Sequence, residues 1–173
     1  MSEVFLSIGG NLGDRLRNLA ICQRYLQDNL GGIDEFSPVY ESESWGFKHP
    51  ADFYNQVLKC RTEMSPHTLL QVCLKIEADM GRHRNANGSA GYQGRSIDID
   101  IIFYDRKIIR QNNLNIPHPS LYDRLFVLRP MYDIAPDFVD PASKKSIRQL
   151  LADCPDTGRI VKKAHPRKLL DYE

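Results

Sequence analysis

Long apolar runs, paired cysteines and an excess of either charge are all missing from this 173-residue chain. No stretch approaches the ~18 consecutive apolar residues that a membrane-spanning helix needs, so no membrane partner is expected. The start, Met1-Ser-Glu-Val-Phe5, lacks a basic stretch followed by an apolar one, and no signal peptide is expected either. Cys22, Cys60, Cys73 and Cys154 lie apart in apolar surroundings with no Cys-x-x-Cys spacing. They read as reduced core residues of a cytoplasmic protein, not as a disulfide frame or a zinc site. A net charge of only +1 argues against a general nucleic-acid binder, although local patches stay open. Internal repeats and low-complexity segments are absent. With 42% hydrophobic residues, 1–173 suffices for a single domain with a full core, with no room for a fused second activity.

What is present is organised around Arg95-Ser-Ile-Asp-Ile-Asp-Ile-Ile-Phe-Tyr104. Its β-branched and aromatic residues, broken by two acids, predict a buried strand. Alternation puts Ile97, Ile99, Ile101 and Phe103 on one face and Asp98 and Asp100 on the other, about 7 Å apart. At an effective dielectric of 20, two such charges repel by roughly 2 kcal/mol. An arbitrary Asp-x-Asp is more often part of a structural ion-pair network with nearby arginines. Set deep in an apolar strand, this pair points toward a Mg²⁺ site, in which carboxylates, water and substrate phosphates share the ion. Two ions about 4 Å apart would also fit.

Upstream, Val4 to Ile8 predicts a short strand ending at a Gly9-Gly10-Asn11 turn. A helix follows, with Asp14 in its first turn and Leu16, Leu19, Ala20 and Leu26 at helical spacing. Phe36 to Ser44 and Phe53 to Arg61 read as two further strands. Their connector, Trp45-Gly-Phe-Lys-His-Pro50, holds the only tryptophan and is a loop of the kind that gathers binding residues. Asn55 shares a face with Phe53 and Val57, so it needs hydrogen-bond partners that either backbone or a flat heteroaromatic ligand could supply. Ser65-Pro66 starts a helix running to about Met80, with Gly81 beyond its end. Glu77 falls at the border of that helix's apolar stripe, where a solvated glutamate is out of place.

Residues 81–94 show no periodicity, carry Arg82, His83 and Arg84, and lead into Arg95. A long loop inside a compact domain is usually functional, and arginines beside a Mg²⁺ site suit phosphoryl chemistry. Lys107 to Arg110 suggests a hairpin return. Prolines hold His118 in an extended segment. Ser120 is expected to cap a helix carrying Arg124 and Phe126 that ends at Pro130, and Ser146 to Ala152 forms a last short helix. The tail from about 155 to 173, with Arg159, Lys162, Lys163, Arg167 and Lys168, reads as a solvated basic end.

Five of these stretches in order resemble one family. Phe53-Tyr-Asn55, Ile76-Glu-Ala-Asp-Met-Gly-Arg82, Arg95-Ser-Ile-Asp-Ile-Asp100, Ile116-Pro-His-Pro119 and Arg124-Leu-Phe126 match 6-hydroxymethyl-7,8-dihydropterin pyrophosphokinases, folate-pathway enzymes that move diphosphate from ATP to a pterin alcohol. The match runs from Ile8-Gly-Gly-Asn-Leu12 to Asp133-Ile-Ala-Pro136.

The resemblance implies an α+β, ferredoxin-like fold, mainly antiparallel, with helices packed on the faces of the sheet. It implies two Mg²⁺ ions on Asp98 and Asp100, and a mobile loop at 81–94 whose Arg82, with Arg95, acts on the diphosphate. Glu77, Arg84, Ile101, His118 and Arg124 match nucleotide-side positions. Ser42, Trp45, Gly46 and Asn55 match the pterin-recognition edge, with Phe53 and Phe126 stacking on the ring. The small molecules ATP and 6-hydroxymethyl-7,8-dihydropterin are then the partners, without nucleic acid or membrane, for a cytoplasmic monomer. Three positions depart from the family pattern: Gln93-Gly94 replaces Gly-Pro, Phe53 replaces Tyr, and a second nucleotide-side arginine falls near Asn113. The rival readings are an RNA-binding module, disfavoured by two acids on the sheet face, and a Mg²⁺-dependent nucleotidyltransferase that releases pyrophosphate.

Overall fold

The computed structural model describes residues 1–81 and 94–172. In chain order the strands are β1 (Ser2–Gly10), β2 (Gly32–Phe36), β3 (Tyr40–Ser42), β4 (Phe53–Thr62), β5 (Asp98–Tyr104), β6 (Ile109–Gln111), β7 (Leu114–Ile116) and β8 (Ile160–Lys162). The helices are α1 (Arg15–Asn29), α2 (Pro66–Asp79), α3 (Leu125–Ile134) and α4 (Ile147–Asp153). The main sheet runs β5-β1-β4-β3-β8, with β2 also on β4, and every pair is antiparallel. Helices α1 and α2 cover one face and α3 and α4 the other, and an α+β ferredoxin-like fold fits this arrangement.

One face carries Val4, Leu6 and Ile8 of β1, Leu58 and Cys60 of β4, and Ile97, Ile99 and Ile101, packed on Leu19 and Leu26 of α1 and on Leu69, Cys73 and Ile76 of α2. The other carries Phe5, Val57, Ile102 and Phe103 against Val127, Leu128 and Met131 of α3 and Ile147 and Leu150 of α4. Phe103 therefore leaves the face of Ile101. The register of β5 on β1 slips between Phe5 and Leu6, so that Ile102 is the extra residue of a bulge. Beyond it Tyr104 turns back to the first face.

Side chains cap three helix starts, whereas Ser120 makes no capping bond and opens only a 3-10 turn, Leu121–Asp123, ahead of α3. Asp14 accepts the N–H of Arg17, Ser65 that of Thr68, and Ser146 with Gln149 forms a capping box at α4. Four boundaries differ from expectation. Strand β1 continues through Gly9 and Gly10, which pair with Asn55 and Tyr54, so these glycines are not a turn. The expected strand from Phe36 to Ser44 is broken at Ser37-Pro38, and Gly32–Phe36 pairs separately with β4. Strand β6 pairs with β7 in a hairpin of its own. Pro130 lies inside α3, whose buried apolar face carries the helix past it.

The tail is not a solvated end. Strand β8 lengthens the sheet by pairing with β3, and Leu169 is 1% exposed in the first core. Buried Gln23 and Gln56 both donate to the carbonyl of Arg167, and Gln23 Oε1 accepts the N–H of Leu169. The basic side chains face outward while the backbone and Leu169 are held, a division that charge counting misses.

Candidate active site

The second sheet face changes character along its strands. Under α3 and α4 it is apolar; past the N-terminus of α3 it becomes Ser7 and Gly9 of β1, Asn55 of β4, and Asp98 and Asp100 of β5. Register places Asp98, Gly9 and Asn55 in one cross-strand row, and Asp100, Ser7 and Val57 in the next. Over these rows lies a cleft lined by the aromatic rings of Trp45, Phe47, Phe53 and Phe126 and by the guanidinium groups of Arg95 and Arg124.

Gly9 sets the floor. A Cβ there would sit 2.5 Å from Asn55 Oδ1, so only glycine leaves the amide where it is. Asn55 is 4% exposed and donates through Nδ2 to Ser42 Oγ at 2.8 Å. The aromatic wall is built edge to face: Phe47 and Phe53 centroids are 6.1 Å apart, and Trp45 and Phe126 are 6.5 Å apart. Trp45 is fixed by donating its indole N–H to the carbonyl of Asp123 at 3.1 Å.

At the acidic end Arg95 donates to Asp98 at 2.8 Å, and Arg124 to Asp100 at 3.2 Å. Burial and the neighbouring Asp98 charge push the Asp100 carboxyl up, to about 7. The Arg124 guanidinium lies 4.8 Å over the Trp45 ring. Among the described residues its Nε is buried with no acceptor, a donor left for a ligand oxygen. His118 Nδ1 accepts the N–H of Ser120, so the ring proton of the neutral imidazole belongs on Nε2, 3.8 Å from Asp100 Oδ1. Burial and the Arg124 cation lower the His118 pKa to about 4, which keeps the ring neutral.

Ser42, Trp45, Phe53, Asn55, Arg95, Asp98, Asp100, Arg124 and Phe126 thus line one cleft. His118 stands behind Asp100. Gly46 sits in the connector with φ +77, a conformation that favours glycine, but does not line the cleft. The Ile101 side chain is turned away into the first core, because it alternates with Asp100. Glu77 is 2% exposed, and its Oε1 accepts the N–H of Ile99 at 2.8 Å, satisfying a backbone group on the sheet's edge strand. Arg82 and Arg84 lie outside the described residues.

Asn11 is an organising residue that sequence reading passed over. It is 3% exposed; its Oδ1 accepts the N–H of Arg95, and its Nδ2 contacts His49 Nδ1 and donates to the carbonyl of Ala51. One side chain so joins the start of the acidic strand to the aromatic connector. The only local signal was an asparagine after two glycines, which also describes a plain turn.

The donor set fits a hard divalent cation: two carboxylates project from one strand face, and the proton affinity of Asp100 is raised first by burial and then by the Asp98 charge, both of which a bound cation would offset. Among the described residues no three His, Cys, Asp or Glu side chains cluster as a metal site. Water or substrate oxygens would have to complete the coordination.

A family model described as 7,8-dihydro-6-hydroxymethylpterin-pyrophosphokinase (HPPK) matches residues 5–136. The chain belongs to this family. Among pyrophosphokinase relatives, 2-amino-4-hydroxy-6-hydroxymethyldihydropteridine pyrophosphokinase of Porphyromonas gingivalis is 39% identical over 137 residues, covering 79% of this chain and 92% of that protein. The enzyme of the same name from Aquifex aeolicus is 36% identical, covering 86% and 90%. The folic acid synthesis protein FOL1 of Dictyostelium discoideum is 37% identical over 91% of this chain and 23% of its own length. Among solved structures, wild-type HPPK-DHPS of Plasmodium falciparum aligns with a TM-score of 0.68 at 17% identity, over 88% of this chain and 43% of that one. An HPPK-DHPS in complex with substrates aligns at 0.69 and 14%, over 88% and 45%. The chain spans less than half of those two structures, and at such identity the likeness speaks for the fold. As an HPPK family member the chain is a pyrophosphokinase, an enzyme of ATP-dependent diphosphate transfer in folate synthesis. No helix among the described residues is long and apolar enough to cross a membrane.

Proposed function

We propose that this cleft transfers diphosphate from ATP to 6-hydroxymethyl-7,8-dihydropterin, with the pterin between the aromatic walls and the ATP phosphates at the acidic end. What supports this reading is the row Asp98–Gly9–Asn55, which puts a buried amide and a carboxylate on one floor.

Phe53 and Phe126 hold the ring by stacking, and Asn55, oriented by Ser42, reads its polar edge. Arg124 and neutral His118 bind the nucleotide, the buried Arg124 Nε donating to a phosphate oxygen. Asp98 and Asp100 are the residues that would hold Mg²⁺, two ions by family pattern, and such ions neutralise phosphate charge as Lewis acids. The pterin hydroxyl oxygen bonds to the β-phosphorus as the bond from that phosphorus to the AMP oxygen breaks, and the hydroxyl proton is released. Arg95, joined by Arg82 and with Arg84 on the nucleotide, stabilises charge on the transferred group. The walls exclude water, which would otherwise compete as acceptor.

Calorimetric titration of the two substrates tests this division. Asn55→Ala should lose pterin binding and keep that of a non-hydrolysable ATP analogue, and Arg124→Met should do the opposite. Loss of both ligands in both folded variants would refute the two-ended cleft.

A further inference from the structure

Behind the Trp45–Phe126 wall lies a second, smaller cleft, between the connector, the start of α3 and residues 156–160. Ser42, Glu43, Trp45 and Phe126 border both clefts. The pterin wall is therefore a partition with space on each side, and what ties its two halves together decides how wide the site is.

Besides the bond from the Trp45 indole to the Asp123 carbonyl, ties come from the C-terminal segment, beyond the residues 5–136 matched by the family model. Arg124 occupies the N-cap of α3 but makes no capping bond, because a guanidinium carries only donors and cannot accept a helix N–H. Asp156 supplies the cap from 31 residues away: its Oδ2 accepts the N–H of Leu125 at 3.1 Å. Its Oδ1 accepts the N–H of Gly158 at 2.8 Å. That turn brings the Arg159 N–H to Glu43 Oε1 at 3.1 Å and the Arg159 guanidinium to Asp52. Gly158 has no spare room, since a Cβ would lie 3.0 Å from both Asp156 Oδ1 and Glu43 Oε1. The segment is itself fixed at β8 and at Leu169.

We infer that Asp156 is a positioning residue for the pterin site: it pins the Phe126 side of the partition to the Trp45 side and so sets the width and specificity of the pterin cleft. This rests on the assignment of that cleft to the pterin. Arg124 keeps its own anchor on Asp100, so the nucleotide end should feel the loss of Asp156 far less.

The test compares Asp156→Ala, Gly158→Ala and Asp156→Asn with the unmodified protein, reading KM for each substrate and the emission of Trp45, the only tryptophan. Asp156→Ala and Gly158→Ala should each raise KM for the pterin roughly tenfold, the scale of sub-ångström misplacement, while KM for ATP changes less than about twofold. Trp45 emission should shift in both. Asp156→Asn keeps one of the two acceptors and turns an amide donor toward the other N–H, so it should raise the pterin KM less than Asp156→Ala. Equal changes for both substrates, or a lowered melting temperature with unchanged KM and emission, would overturn the inference. If the unmodified protein turned over no pterin, the functional assignment would fail separately. Trp45 emission would then decide: a shift supports the tie between the walls, and none refutes it.

Discussion

Asp98 and Asn55 flank Gly9 in a single row across three strands. Two inter-strand spacings, roughly 10 Å, therefore separate the carboxylate that would meet metal and phosphate from the amide that would read the pterin. Sheet register fixes that distance; no loop has to be ordered to set it, and the two ends of the proposed site share one rigid floor.

Filling the centre of the row should harm one substrate more than the other. Gly9→Ala drives a Cβ into Asn55 Oδ1 and should raise KM for the pterin by at least roughly tenfold, leaving the ATP value nearly unchanged. Steady-state kinetics with each substrate varied in turn would show it.

The carboxylate pair should leave a mark on the pH profile. Asp100 is held above the ordinary carboxylate range by burial and by Asp98, so its ionised form is lost at higher pH than for a free aspartate. As pH falls through about 7 the pair takes up a proton, and kcat/KM at limiting Mg²⁺ should fall with it. Raising Mg²⁺ should move this acid limb to lower pH, because a bound cation favours the charged form. Asp98→Asn should also move the limb down while lowering the rate, since the repelling neighbour is gone.

Glu77 should prove a stability residue at least as much as a nucleotide contact. Glu77→Ala leaves the Ile99 N–H buried without its acceptor and should cost about 1–3 kcal/mol of folding free energy. Glu77→Gln retains a carbonyl oxygen and should cost less. Denaturant melts of the two variants give the comparison.

The C-terminal segment should behave as core. Leu169→Ala removes a side chain that is 1% exposed and should destabilise the protein by about 2–5 kcal/mol. A Lys168→Ala control, one residue earlier and exposed, should stay within about 0.5 kcal/mol.

Much of this was legible in the chain itself. Local signals were sufficient where one residue type has one job: Ser65-Pro66 for a helix start, Gly81 for its end, alternating isoleucines and aspartates for a two-faced strand. Strand alternation turned Asp98, Asp100 and Asn55 to one side, and the remaining members of the cleft came from short motifs that resemble one family. Non-local geometry was hidden. Nothing near Ile102 announces a bulge, since the slip arises in pairing with β1, and the expected face of Phe103 was wrong for that reason. The tail looked solvated because its charges outnumber its apolar residues, whereas its order comes from carbonyls captured by Gln23 and Gln56 far upstream. Asn11 and Asp156 act across 84 and 31 residues respectively, beyond the reach of any periodicity.

The most direct test of the central claim follows the products of ATP and Mg²⁺ with and without 6-hydroxymethyl-7,8-dihydropterin, beside Asp98→Ala. The account predicts AMP released only with the pterin, one for each pterin diphosphate formed, and lost in the variant while it remains folded. Pyrophosphate as the released product, or AMP formation indifferent to the pterin or to Asp98, would contradict it.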